Sequence, residues 1–335
     1  MADPMQAPEA SARKYVLETL PLLEGVIVRA PGKGVLSKVA EETVRCCTQG
    51  RYRNSEYEDV PLPVEAAVNS TRLLPAGAEL PALPARAAGA STVISVVQAS
   101  TLAAAETLCR QGLNTCVLNF ASAKNPGGGF LRGASAQEES LARSSALYPC
   151  LLKPEVQDFY RDNKADTTCV YTDHLIVSHA VPVFRRDDGQ PLDAPYCVSM
   201  LTAPAPNMGV AAGRVSLPEV GEARRRRMER VLAFMAEGSF DAVVLGAWGC
   251  GVFKNEPCEV ASEFKALLCT RFQGAFSRVV FAVYDEPTCQ VFDSMFSATD
   301  LCIRERGGGG GDPAQDPAEN SHEDGRRGGR PRKWG

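Results

Sequence analysis

The stretch Asn125-Pro126-Gly127-Gly128-Gly129, followed after seven residues by Gln137-Glu138-Glu139, is wedged between an apolar run and a helical one. Consecutive glycines allow positive φ and close backbone approach while weakening any strand or helix, so the chain must turn here. Before the turn, Thr115 to Ala121 (TCVLNFA) reads as a buried strand; after it, Gln137 to Leu147 reads as a helix. Strand, glycine loop and helix in that order open an α/β unit, and in open α/β sheets ligands bind beyond the carboxyl ends of the strands. Glu138 and Glu139 would then face whatever the loop cradles. Each part has a plainer reading alone, since glycine runs punctuate loops and acids in a first helical turn complement the helix dipole. Order and spacing together favour a site.

Alternation continues along the chain. Thr92 to Val97 is a strand, and Ala99 to Gln111 a helix with Leu102, Ala105 and Leu108 on one side. Further strands are expected at 174–178, 196–202, 240–246 and 277–284, with helices at 218–237, 256–270 and 287–296. The fold class is α/β, three layers with helices on both faces of a central sheet. Residues 1–10 are small and Pro-containing and read as disordered. Residues 11–90 read as an N-terminal helical accessory segment: helical spacing from Ser11 is interrupted by Pro21, Val35 to Cys47 is an amphipathic helix, and Pro61 to Arg86 is a connector. The α/β domain covers 91–300, and 301–335 is a Gly-rich basic tail whose composition does not support order.

A second glycine-rich loop, Gly246 to Phe253, follows the strand ending Val243-Val244-Leu245 and precedes a helix. Backbone N–H groups backed by a helix N-terminus favour a diphosphate without a basic side chain, and the alternative is a tight strand–helix turn. With the first loop also present, two anion-friendly loops and two acids describe a site for a diphosphate-linked sugar.

Composition excludes more than it assigns. A formal charge of -4 argues against a globally basic, phosphate-binding surface. No stretch reaches the roughly 18 apolar residues of a membrane span and the start lacks a secretory pattern, so an intracellular protein, cytoplasmic or nuclear, is expected, with no membrane partner. Twelve cysteines are scattered without a C-x-x-C pair and read as reduced, mostly buried thiols; no metal ligand set and no cofactor are indicated. His174 and His179 bracket an apolar run and read as core or edge histidines. Arg224-Arg225-Arg226-Arg227 reads as the solvated face of a helix in preference to a nucleic-acid patch.

Gly127-Gly128-Gly129, the seven-residue gap and Gln137-Glu138-Glu139 resemble the GGG-X(6-8)-QEE signature of poly(ADP-ribose) glycohydrolases, and NFASAKNPGGG resembles the compact microbial-type branch. The segments Leu201 to Asn207 (LTAPAPN) and Gly246 to Asn255 (GAWGCGVFKN) recur in that branch in the same order, so the resemblance spans about residues 12–296. It implies a macrodomain-like α/β/α fold with a mixed central sheet. By resemblance Glu139 is the general acid and base, and Glu138 hydrogen-bonds ribose hydroxyls. Asn125 positions the distal ribose, and Gly127, Gly128, Gly129 and Gln137 belong to the substrate site. Gly249, Cys250, Gly251 and Val252 match the diphosphate loop, and Phe253 an aromatic that packs on ribose. Lys254 departs from the small residue, often glycine, expected there. Phe184 and Asn207 lie in resembling segments but read as core or turn residues and stay outside the site.

The implied activity is hydrolysis of ribose–ribose bonds in poly(ADP-ribose), acting at chain ends, with ADP-ribose as product and poly(ADP-ribosyl)ated proteins as partners. Alternatives are hydrolysis of another ADP-ribosyl linkage on protein, or a macrodomain reader that binds ADP-ribose without turnover; the paired acids favour catalysis. Gly329-Arg330-Pro331 in the tail resembles half of a minor-groove hook for DNA, but a solubilising tail or a targeting signal is favoured.

Overall fold

The computed structural model describes residues 15–17, 31–83, 91–297 and 302–304. The disorder expected for 1–10 and for most of 301–335 concerns residues outside that set. Chain order begins β1 (Tyr15–Leu17), α1 (Lys33–Gln49), β2 (Arg51–Arg53), β3 (Asp59–Pro61), α2 (Val64–Ser70), β4 (Arg72–Leu74) and β5 (Thr92–Val97). It continues α3 (Thr101–Arg110), β6 (Thr115–Phe120), α4 (Gln137–Ser144), α5 (Leu147–Leu151), α6 (Gln157–Ala165), β7 (Leu175–Arg185) and β8 (Pro191–Ala203). It closes α7 (Met208–Ala211), α8 (Leu217–Glu237), β9 (Ala242–Leu245), α9 (Pro257–Cys269), β10 (Arg278–Ala282), α10 (Glu286–Ser297) and β11 (Cys302–Arg304).

The main sheet runs β11-β1-β5-β10-β9-β6-β8-β7-β4. β5, β10, β9, β6 and β8 are mutually parallel, and β7 is antiparallel to both β8 and β4. The largely apolar runs of β5, β6, β9 and β10 suit this, because a parallel sheet is covered on both faces. Side chains alternate between two cores: Cys116, Leu118, Val243, Leu245, Val279 and Phe281 join one, and Val117, Ala242, Val244, Val280 and Ala282 the other. Helices α8 and α9 cover the first face, α3 and α5 the second, which is the expected three-layer architecture. The ends of β6, β9, β10 and β8 therefore emerge along one edge.

Boundaries moved where tertiary pairing competes with local pattern. The helix expected over 137–147 stops at Ser144, because Ser145 is extended (φ -143°) and bridges Val183 of β7. The expected connector contains α2 and β4, and β4 closes the sheet edge by pairing Arg72 to Leu74 with β7. The polar span after α5 holds α6, whose Phe159 and Tyr160 are buried. Tyr15 to Leu17, read as helical, pairs with β5 as a strand. No described helix is long and apolar enough to cross a membrane.

Four arginines in a row do not make a solvated face. Arg224 and Arg227 are 2% and 0% exposed, whereas Arg225 and Arg226 are exposed. Arg227 binds the Asp173 carboxylate and donates to the carbonyls of Pro204, Val170 and Tyr171. A planar, five-donor guanidinium suits such a buried junction. Residue type alone makes this side of α8 look solvated; the carbonyls and acids packed against it make it interior.

Candidate active site

A polar residue inside an apolar strand is the first local signal. Asn119 is fully buried on β6 and its amide donates to Glu138 Oε1 (3.3 Å) and Thr202 Oγ1 (3.2 Å). One residue on, the Phe120 N–H donates to Gln137 Oε1 (2.9 Å), while Gln137 Nε2 donates to the Leu118 carbonyl (2.8 Å) and Thr101 Oγ1 (3.1 Å). With both amide protons engaged, Gln137 clamps α4 to the end of β6. It lines the cavity, as a substrate-site residue would, and also fixes the helix against the strand.

That clamp presents the two acids differently. Glu138 is 2% exposed; its Oε2 accepts from the Ser122 N–H (2.7 Å). Burial pushes its pKa up from 4.5 to about 8, with the Glu139 charge adding to the rise and the Ser122, Asn119 and Gly127 donors opposing it. Glu139 is half-buried and its Oε1 accepts from the Gly129 N–H (2.9 Å). Gly128 (φ +60°) lies where both acids meet: a Cβ there would overlap Glu139 Oε1 and come within 3.2 Å of Glu138 Oε2. Gly127 (φ +66°) faces Phe130 and Ala142 and is not among the residues that line the cavity. The remaining N–H groups close on the loop itself, Gly128 to Asn125 O (2.9 Å) and Phe130 to Gly127 O (3.3 Å). This loop is not the anion cradle the sequence suggested; it is a seat for carboxylates.

The second loop differs. Trp248 is buried with its indole N–H on the Ala203 carbonyl (3.0 Å), which anchors the loop to the end of β8. The Cys250 N–H turns back to Ala247 O (3.1 Å) and the Lys254 N–H to Gly251 O (3.3 Å). The N–H groups of Gly249, Gly251, Val252 and Phe253 find no acceptor among the described residues. Lys254 carries φ +58°, the left-handed conformation glycine favours, which gives a physical reason for a small residue there. Burial pushes the Cys250 thiol up to about 12, so it is no nucleophile at neutral pH.

Both loops wall one cavity of about 930 Å³ at the carboxyl edge of the parallel strands. Asn125, Gly128, Gly129, Gln137, Glu138 and Glu139 line one side; Gly249, Cys250, Gly251, Val252 and Phe253 line the other. Asn125 is exposed, and its side chain makes no hydrogen bond among the described residues. The volume accommodates a nucleotide-sized ligand.

Comparison with known proteins gives the family. A family model described as the catalytic domain of microbial-type PARG matches residues 40–186, the part holding the first loop and both acids. The solved poly(ADP-ribose) glycohydrolase of Thermomonospora curvata is 42% identical, with 78% of this chain and 100% of that chain covered at TM-score 0.74. Its complex with the inhibitor ADP-HPD aligns at 41% identity over 77% and 98%, TM-score 0.70. The Deinococcus radiodurans enzyme in complex with ADP-ribose is 43% identical over 72% and 100%, TM-score 0.66. The chain belongs to the microbial-type poly(ADP-ribose) glycohydrolases. No curated protein sequence matches it.

Within this glycohydrolase framework, several wall residues escaped the sequence reading. Arg143 is buried, donates to the Ala134 carbonyl, and has its pKa lowered by burial against the opposing charges of Glu139 and Asp187. Asp187, from the turn between β7 and β8, accepts from Ser140 Oγ (2.7 Å) and Ser100 Oγ (2.5 Å), tying α4 to the cap of α3. An Arg four residues after Glu139 was visible in the sequence, but its burial was not. Helix α1 also backs the site: Lys33 O lies where a Gly133 Cβ would sit, and Thr43 Oγ1 donates to Arg143 O (2.5 Å). Phe184, fully buried against Tyr52, and Asn207 lie off the cavity, and His174 is held between Asp162 and the Ala76 N–H.

Proposed function

We infer that this chain is a poly(ADP-ribose) glycohydrolase that hydrolyses ribose–ribose O-glycosidic bonds and releases ADP-ribose. The observation that carries it is the convergence of two unlike carboxylates on Gly128, across a cavity from a loop with open N–H groups. In the mechanism we propose, the N–H groups of Gly249, Gly251, Val252 and Phe253 receive the diphosphate, with the N-terminus of α9 behind them. Phe253, whose ring stands 5.9 Å from that of Tyr171, packs on the adjoining ribose. Glu139 keeps Oε1 on the Gly129 N–H and turns Oε2 to the scissile bond. It protonates the departing ribose oxygen as the oxocarbenium-like state forms, then takes a proton from the attacking water. Glu138, neutral near pH 7 because it is buried, donates to a ribose hydroxyl without adding a second negative charge. Asn125 orients the distal ribose. Cleavage at chain ends, with polymer carried on modified proteins as the partner, belongs to the same proposal.

The test is release of ADP-ribose from purified polymer by the wild type and by Glu139→Gln, with ADP-ribose binding measured calorimetrically on both. Activity should fall by about 10²–10⁴-fold or more while binding persists. A wild type that binds ADP-ribose but releases none from polymer would leave a reader of ADP-ribose.

A further inference from the structure

The arginine run on α8 has no part in the chemistry above, yet one member reaches the diphosphate loop from behind. Arg224 Nε and Nη2 hold Glu263 through both oxygens (2.9 and 2.7 Å), Nη2 also meets Glu259 (2.8 Å), and Nη1 donates to Asn255 Oδ1 (3.3 Å). Asn255, itself 2% exposed, donates from Nδ2 to the carbonyls of Pro206 (2.8 Å) and Gly249 (3.1 Å), and its backbone N–H also donates to Gly249 O (3.1 Å). Neither Arg224 nor Asn255 lines the cavity.

Gly249 shows what this arrangement demands of the loop. Its φ is +77°, and a Cβ would come within 2.6 Å of Asn255 Nδ2 and 2.5 Å of Ala205 Cβ. The glycine is thus required by the Asn255 amide pressed against it, and the doubly held carbonyl starts the turn that carries the open N–H groups of Gly251, Val252 and Phe253. Charge sharpens the point. One guanidinium faces two carboxylates, so Arg224 lends no net positive field to a ligand; it neutralises acids that would otherwise repel a diphosphate.

We propose that Arg224 and Asn255 are positioning residues for the substrate diphosphate: a buried relay from α8 through Asn255 to Gly249 sets the loop geometry, given that Gly249 to Phe253 receive that group. Affinity for diphosphate-bearing ligands is then controlled by an arginine the ligand never touches. Because the diphosphate keeps its contacts from ground state to transition state, losing the relay raises KM and leaves kcat at saturating polymer in place.

Dissociation constants for ADP-ribose and for adenosine, which lacks the diphosphate, are measured by ligand-observed NMR on the wild type, Asn255→Ala, Arg224→Lys and Arg224→Met, alongside kcat and KM on polymer. The expected result is a loss of ADP-ribose affinity of about tenfold or more in Asn255→Ala and Arg224→Met, with Arg224→Lys between them and wild type and adenosine binding unchanged. Variants that keep the wild-type preference for ADP-ribose over adenosine would overturn the relay, as would an equal loss for both ligands or a parallel fall in kcat. A wild type without that preference would instead overturn the diphosphate loop itself. Asn255→Ala leaves the Arg224 ion pairs intact and carries the same expectation if Arg224→Met does not fold.

Discussion

The two glycine-rich loops of this protein look alike in sequence and do opposite things. In the first loop the N–H groups of Gly128 and Gly129 are engaged by the protein's own acceptors, and the space a Cβ would fill at Gly128 belongs to Glu139. In the second loop the N–H groups of Gly249, Gly251, Val252 and Phe253 find no acceptor among the described residues, and a Cβ added at Gly251 would meet nothing within 4 Å. Gly128 makes room for the protein's own acids, whereas Gly251 faces open space at the cavity wall. A run of glycines therefore marks close approach without saying what approaches.

Alanine substitutions break the comparison most directly. Gly128→Ala forces Glu139 off its seat and strains a positive φ, so polymer hydrolysis should fall by about 10²-fold. Stability should drop by roughly 1–2 kcal/mol as well. Gly251→Ala should leave the stability within about 0.5 kcal/mol of wild type while weakening ADP-ribose binding. Calorimetry and urea melts on both variants decide it; equal stability losses would erase the distinction between the loops.

The acids differ in a way that pH can expose. Glu138 titrates at about 8 in the folded chain against 4.5 ordinarily, so the folded state holds a proton that the unfolded state has released. Stability from this group is full below about pH 4.5 and is lost as pH rises toward about 8. Glu138→Gln, neutral throughout, should flatten that decline relative to wild type in urea melts between pH 5 and 9. Parallel curves would mean that Glu138 is already ionised at neutral pH. The smallest effect is expected at Lys254→Gly, which relieves the left-handed backbone and should raise stability by up to about 1 kcal/mol; a lower melting temperature would contradict it.

Much of this was legible beforehand because it is local. Runs such as Thr92 to Val97 and Ala242 to Leu245 are mostly or wholly apolar, so their strands fell close to where pattern put them. The short edge strand β4, with three residues and a polar start, carries no such periodicity and exists because β7 offers it an open edge. Gln137 was found as part of a triplet, but its clamp on β6 was not, since the Leu118 and Phe120 backbone groups it holds are brought to it only by the fold.

From the sequence alone came the family signature, the order of most strands and helices from Thr92 onward, and the two acids at the start of a helix, all of which depend on neighbours within a few residues. The tertiary structure alone decided which acid is buried, which loop keeps open N–H groups, and which arginines of an unbroken run are interior. Those outcomes turn on desolvation and on hydrogen-bond partners far apart in the chain, such as Arg227 with Asp173 and Arg224 with Glu263, and only folding brings such partners together.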